Sequence, residues 1–314
     1  MIIMHSKTDD IEKKLRGYLF GTACGDALGR PVEHLTLEQI KEKFGGKGIL
    51  EVPPDSLWTD DTQLMLVIAR GLLQGAELEP PKLMDFIAKE LVLWLDEPDL
   101  GAGPTSRGAA LRLKEGINWR ESGIVSKTCG SLMRIGILGF LYRNNSDKLV
   151  QSALLSGRIT HLHPVSDAAS IAGAYAVKLA LDDVEPEEMY GSLLKITEGF
   201  SQEFTNALKK SYEIAHSGLS DEDALKELGQ GWYADETFAL AYFCLLRYPN
   251  DYKKAVQTAV NITGDSDSVG SVAGGIIGAK LGIEAIPVSW IEDLKEKEKL
   301  EEIVVPLLEK YFLV

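Results

Sequence analysis

The chain has 314 residues, 45% of them hydrophobic and 25% charged, and a net charge of −14. That length buries enough apolar surface to need no disulfide staples, and the acidic balance excludes general binding to nucleic acid or to an anionic membrane. Three widely spaced cysteines, Cys24, Cys129 and Cys244, suit a reducing, cytoplasmic setting and give no disulfide framework.

The opening "MIIMHSKTDD" turns acidic before the apolar core of a signal peptide forms, and no apolar run approaches the roughly 20 residues of a membrane span. From there the periodicity is helical almost throughout. Apolar residues recur at i, i+3 and i+4 in "IEKKLRGYLFGTA", "TQLMLVIARGLLQG" and "PKLMDFIAKELVLWL". The same spacing returns in "SDAASIAGAYAVKLAL", "MYGSLLKITEGF", "ETFALAYFCLLRY" and "YKKAVQTAVNI". Gly, Pro and Asp punctuate these segments, as in "LDEPDLGAGPTSRG" and "HSGLSDEDA". Late in the chain, "SVGSVAGGIIGAKLG" places Gly270, Gly274 and Gly278 on one side of a helix, where a second helix can come close. The last segment, "IEDLKEKEKLEEIVVPLLEKYFLV", reads as a terminal helix or two with a solvated charged face. Alternating strands, repeats and linkers are absent, so the expectation is one all-α domain over residues 1–314. Chemistry is then expected at helix ends and on connecting loops.

Two stretches carry that chemistry. Residues 261–271 read "NITGDSDSVGS", and residues 58–66 read "WTDDTQLML". In each, a hydroxyl and two aspartates lead directly into an apolar helix. Capping is the simplest reading of either alone, because Asp, Ser and Thr are favoured N-caps and acids suit the first helical turn. An EF-hand fails: counted from Asp265, position 6 is Gly270, but positions 5 and 12 are Val269 and Ile276, which are no ligands. The aspartate-phosphatase reading of "DSDS" wants an early strand in an α/β chain, which is not the pattern here. Capping uses one acid at each place and leaves the second without a purpose. If the two helix starts meet, Asp60, Asp61, Asp265 and Asp267 form a cluster whose mutual repulsion raises their pKa values. Divalent cations would neutralise it. All-oxygen donors, with Thr59 and Ser268 adding hydroxyls, suit Mg²⁺ or Mn²⁺ and not zinc.

Over nearly its whole length the chain resembles the ADP-ribosylglycohydrolases, a family that includes the dinitrogenase reductase-activating glycohydrolase. The resemblance rests on "GTACGDALGRPVE" (21–33), "WTDDT" (58–62), "PDLG" (98–101), "CGSLMR" (129–134), "THLHP" (160–164), "GWYADETFALA" (231–241) and "TGDSDSVGSVAGGIIGA" (263–279). The paired "TDDT" and "GDSDS" motifs, in this order, are the specific part. The resemblance implies an orthogonal helical bundle with a binuclear magnesium cleft, and a cytoplasmic hydrolase that removes ADP-ribose from an arginine or serine side chain or a small conjugate.

The same resemblance implies roles residue by residue. Thr59, Asp60, Asp61, Asp265, Asp267 and Ser268 would be the metal ligands, with serine where relatives often have threonine. Glu33 would stand near the scissile bond, as a proton relay or opposite an oxocarbenium-like sugar cation. Asp99 would orient an acceptor guanidinium, with Gly101 on the same loop. Gly130 and Ser131 would meet the diphosphate at a helix start, His161 the ribose or phosphates, and Tyr233, ahead of Trp232, the adenine. Asp26 would cap or brace its loop, Arg134 would pair with a core acid, and His163 would be structural. Cys129 stands where many relatives have asparagine. A non-catalytic ADP-ribose reader and a metal-dependent phosphatase or nucleotide hydrolase are the alternative functions.

Overall fold

The computed structural model describes residues 2–311; Met1 and the last three residues of the expected terminal helix lie outside them. Seventeen α-helices run through the described residues. In chain order they are α1 (Ile2–Gly29), α2 (Leu37–Phe44), α3 (Asp60–Gly75), α4 (Pro80–Trp94), α5 (Pro104–Lys114) and α6 (Trp119–Ser122). There follow α7 (Ile137–Leu141), α8 (Ser146–Arg158), α9 (Pro164–Leu181), α10 (Pro186–Ile196), α11 (Gln202–Ala215) and α12 (Asp221–Leu228). The chain ends with α13 (Ala234–Arg247), α14 (Tyr252–Val260), α15 (Ser266–Leu281), α16 (Val288–Glu292) and α17 (Glu298–Tyr311). The only extended pairing among the described residues is three isolated bridges. The fold is all-α, as the periodicity predicts.

Local chemistry sets the helix starts. Thr36 closes a capping box with Gln39 at α2, and Asn145, Ser201, Ser220 and Asp251 cap α8, α11, α12 and α14 through their side chains. Proline opens α4, α5, α9 and α10, where its missing N–H costs nothing. His163 caps α9 by accepting from the Val165 N–H at 3.2 Å, the structural part expected of it.

The centre of the molecule is α15, buried from Ser266 to Ala279. It packs against α1, α3, α9, α13 and α14. Its closest partner is α1, which runs antiparallel to it. A Cβ added at Gly25 would fall 2.0 Å from the Gly270 carbonyl oxygen, one at Gly21 2.4 Å from that of Gly274, and one at Gly17 2.1 Å from that of Gly278. The two backbones touch because neither helix carries a side chain along this seam. The glycines at 17, 21 and 25 therefore sit inside a continuous helix. This differs from the sequence expectation, in which helical pattern ended before "GDALG" and Asp26 lay on a loop; α15 covers the small-residue face, and the helix continues to Gly29.

Gly→Ala in a helix interior ordinarily stabilises by about 0.5–1 kcal/mol. Gly25→Ala should do the reverse here, costing about 1–3 kcal/mol through overpacking of the seam. Urea unfolding would show this as a lowered midpoint at unchanged slope; a raised midpoint would contradict the contact.

Candidate active site

The α1–α15 seam delivers the site. A Cβ at Gly29 would lie 2.4 Å from the Asp267 Cα, so the end of α1 abuts the start of α15. A 3-10 turn, Arg30–Val32, then presents Glu33. His34 follows in the left-handed region (φ 66). Its N–H donates to the Gly264 carbonyl at 2.9 Å, and the Gly264 N–H donates to the Leu35 carbonyl at 3.2 Å. The Glu33 loop and the "GDSDS" loop are thus tied backbone to backbone.

The first turn of α3 docks on the same place. Asp26, entirely buried in α1, accepts from the Thr59 N–H at 2.8 Å, the Thr62 N–H at 3.1 Å and the Thr62 hydroxyl at 2.6 Å. Thr59 Oγ1 accepts from the Asp61 N–H at 3.3 Å. Helix α3 is therefore capped by Thr59 and by a carboxylate from another helix, which leaves Asp60 and Asp61 spare. At α15, Asp265 occupies the N-cap position but closes no side-chain capping bond. Capping, the simplest reading of the sequence, does not account for these acids.

The two motifs converge. Asp61 accepts from the Ser268 hydroxyl at 3.4 Å and from the Ser271 hydroxyl at 2.8 Å, which bridges α3 and α15. Glu33, Asp265 and Asp267 each offer an oxygen within 4.8 Å of the others. Asp60, Asp61, Asp265, Asp267 and Glu33 line one cleft of ≈ 340 Å³. Two roomier hollows of ≈ 460 and ≈ 550 Å³ contain none of these acids, so volume alone would misplace the site.

No Lys or Arg forms a salt bridge with Asp26, Asp60, Asp61, Asp265 or Asp267 among the described residues, and Glu33 meets only His34, at 3.0 Å. The electrostatic consequence is large. Burial, then Asp26 and Asp265, push Asp60 up to about 7. Burial pushes Asp26 up to about 6, against the hydrogen bonds of Thr62 and Thr59. Asp61 and Asp267 are driven well above the carboxylate range by burial and by neighbouring acids. Asp265 and Glu33 are also raised, mainly by burial. A buried, all-oxygen donor set that cannot fully ionise on its own fits a hard divalent cation.

Other expected residues fall on and off the cleft. Gly101 (φ 110) and Gly130 line it, and a Cβ at Gly130 would crowd His161. His161 lines it too, with Nδ1 2.7 Å from Thr160 Oγ1 and Nε2 3.0 Å from Thr128 Oγ1. Asp99 does not line it. Its carboxylate accepts from the Gly101 and Ala102 N–H groups, both at 3.2 Å, and pairs with Arg107 at 3.1 Å. Asp99 therefore holds the turn that presents Gly101. Ser131 is buried behind the cleft wall, and "CGSLMR" opens a single 3-10 turn, Cys129–Ser131, in place of the expected helix start.

Tyr233 corrects another expectation. Thr128 and Tyr233 form an antiparallel bridge that docks this segment beside the cleft. Trp232 lines the cleft, stacked on His34 at 4.8 Å, while Tyr233 is exposed under Lys127. Among the described residues Arg134 forms no salt bridge, although Asp60 acts on it through space: its Nη2 donates to the Ser156 carbonyl at 3.0 Å and Thr160 Oγ1 at 2.8 Å. The Cys129 thiol donates to Asp265 at 3.1 Å and is held well above the usual thiol range, by burial first and then by Asp265. That environment is the opposite of an activated nucleophile's. Sequence reasoning missed His34, Thr105, Thr128 and Ser271. Only His34, beside Glu33, left a signal.

The family profile for ADP-ribosylglycohydrolases matches residues 7–313, and the chain belongs to that family. It is therefore a glycosidic-bond hydrolase of that class. A protein of Archaeoglobus fulgidus is 32% identical over 310 residues, covering 97% of this chain and 99% of its own. The ADP-ribosyl-[dinitrogen reductase] glycohydrolase of Rhodospirillum rubrum is 26% identical over 298 residues, 93% of each chain. A solved structure, an ADP-ribosylglycohydrolase-related protein complex, superposes with a TM-score of 0.78 at 26% identity, over 97% of this chain and all of that one.

The raised acids fix a pH dependence for the cation-free protein. Their folded pKa values lie above the unfolded one, so the folded state retains protons that the unfolded state releases. Stability should fall as pH rises from about 4 towards 7, because the folded state binds more protons across that window. Thermal melts in chelator over this range should show a declining Tm, and a saturating divalent cation should flatten the decline.

Proposed function

We propose that this chain hydrolyses the glycosidic bond between ADP-ribose and an acceptor, an arginine or serine side chain or a small ADP-ribose conjugate, with two bound Mg²⁺ ions that Mn²⁺ can replace. The observation that carries the reading is the meeting of both acidic motifs and Glu33 in one cleft. Thr59, Asp60, Asp61, Asp265, Asp267 and Ser268 would hold the cations. Bound there, the ions would neutralise the carboxylates and polarise ribose hydroxyls and a water.

The chain's own groups supply the rest. Glu33 is partly buried and its pKa is raised, mainly by burial, which suits a carboxyl that takes or gives a proton. As a carboxylate it also faces the positive charge that develops on the sugar. A second role for Glu33, as a further cation ligand, is favoured by its grouping with Asp265 and Asp267. His161 is held neutral, its pKa pushed down to about 3 by burial and then by Arg134. It and the hydroxyls of Thr105 and Thr128 line the wall that would take the diphosphate. Trp232 offers an indole face for a base or a planar acceptor, and with His34 screens one side of the cleft from water.

ADP-ribosyl-arginine, ADP-ribosyl-serine and O-acetyl-ADP-ribose, each offered with Mg²⁺, identify the acceptor by which one releases ADP-ribose; release from none overturns the reading. Glu33→Gln should lower turnover by about 10²–10⁴-fold, the usual worth of a general acid–base group, while ADP-ribose affinity changes far less. A mutant as fast as its parent would remove Glu33 from the chemistry. Asp267→Asn should weaken Mg²⁺ binding in calorimetry and, by relieving repulsion, raise the stability of the cation-free protein.

A further inference from the structure

We propose that Arg134, acting through Thr160, locks His161 as a neutral imidazole with its proton on Nε2, and so leaves the Thr128 hydroxyl to donate into the cleft. The inference rests on the reading that this wall receives the diphosphate of ADP-ribose. It begins with a buried cation. Arg134 is fully buried, forms no salt bridge among the described residues, and leaves its Nε and Nη1 without hydrogen bonds. A charge kept dry at that cost is anchored through Nη2 alone, on the Ser156 carbonyl and Thr160 Oγ1.

Counting hydrogens then fixes a direction. A guanidinium only donates, so Thr160 Oγ1 must accept from Arg134. The Thr160 hydroxyl hydrogen has two places to go, His161 Nδ1 at 2.7 Å or the Gly157 carbonyl at 3.3 Å. The Gly157 carbonyl already accepts the N–H groups of Thr160 and His161, at 3.1 and 2.9 Å. The shorter bond to Nδ1 is the one made. Nδ1 therefore accepts, the imidazole proton sits on Nε2, and Nε2 donates to Thr128 Oγ1 at 3.0 Å.

The chain ends at Thr128. Its natural acceptor is Ser126 Oγ at 3.1 Å, but that oxygen already receives the Thr105 hydroxyl at 3.1 Å and the Thr128 N–H at 3.3 Å. Both lone pairs of Ser126 are taken. The Thr128 hydroxyl hydrogen is left over, on a residue that lines the cleft. A donor fixed from behind matches an acceptor-only oxyanion, which is the chemistry of a diphosphate. The opposite tautomer would reverse the bonds of His161 to Thr160 and Thr128 and offer lone pairs to the same anion. Arg134 and Thr160 are positioning residues in this scheme, and neither touches the ligand.

The test reads the tautomer directly. The full chain is labelled with ¹⁵N-histidine, and long-range ¹H–¹⁵N spectra are recorded at neutral pH without ligand. The five histidines are few enough for His161 to be assigned by its loss in His161→Gln. His161 should show an unprotonated Nδ1 and a protonated Nε2 in the parent and in Thr160→Ser. In Thr160→Val, which removes the hydroxyl, both tautomers should interconvert. ADP-ribose should bind Thr160→Val about tenfold more weakly by calorimetry, roughly the loss of one hydrogen bond to a charged group, with Thr160→Ser restoring the affinity. An imidazolium or an Nδ1–H tautomer in the parent, or a tautomer indifferent to Thr160→Val, overturns the lock. A parent that shows the lock yet binds no ADP-ribose overturns the functional reading, a separate failure.

Discussion

The contact on which the rest of the molecule depends is the glycine seam between α1 and α15. Helices with ordinary side chains keep their axes 8–10 Å apart. Here the Gly17, Gly21 and Gly25 positions meet the backbone of Gly278, Gly274 and Gly270 directly. The antiparallel pairing sets which ends meet: the C-terminal end of α1, with Asp26 and Glu33, lies against the N-terminal end of α15, with Asp265 and Asp267. A side chain in the seam would part the helices, and the loops tied by His34 and Gly264 would separate with them. Acids distant in the sequence reach one cleft because two backbones touch along a stripe that no side chain occupies.

The second constraint is that the acids are withheld from structural work. Aspartates at helix starts ordinarily cap them. Asp26 takes that task for α3 from across the interface, together with Thr59, so neither Asp60 nor Asp61 is needed to cap it. Asp265 holds the N-cap position of α15 without capping it. The fold thus retains buried carboxylates that face one another, with pKa values pushed up as the visible sign of the cost. Such strain is tolerated at sites whose function supplies the missing counter-charge. A cation that binds there is coupled to stability, since whatever binds only the folded state stabilises it.

What could be read from the sequence follows from which features are local. Helix identity was legible because the 3.6-residue period is local, and so was the glycine stripe at 270, 274 and 278, although its partner stripe at 17, 21 and 25 was not recognised. The acid pairs were legible as a surplus over what capping needs. Tyr233 and Trp232 were not separable, because the contacts that distinguish them, Trp232 on His34 and Tyr233 under Lys127, join residues distant in the sequence. Asp99 was misjudged because its partners are two backbone N–H groups and Arg107 on its own loop. Arg134 was expected to find an acid, the general rule for buried charges; its anchor is the Ser156 carbonyl of α8 and the Thr160 hydroxyl just beyond that helix.

That exception bears on how the two sides of the cleft divide the problem of holding a charged ligand. One side gathers acids and demands a cation. The other presents the Thr128 hydroxyl, held from behind by His161 and backed by a buried guanidinium that cannot lose its charge near neutral pH, even with its pKa pushed down to about 10 by burial. A sugar diphosphate has this same division, with ribose hydroxyls that coordinate hard cations and phosphate oxygens that only accept hydrogen bonds. With a net charge of −14, the protein's overall field repels such an anion. Recognition must then come from fixed local groups, and a hydroxyl whose direction is set three bonds away by Arg134 costs no reorientation when the anion arrives.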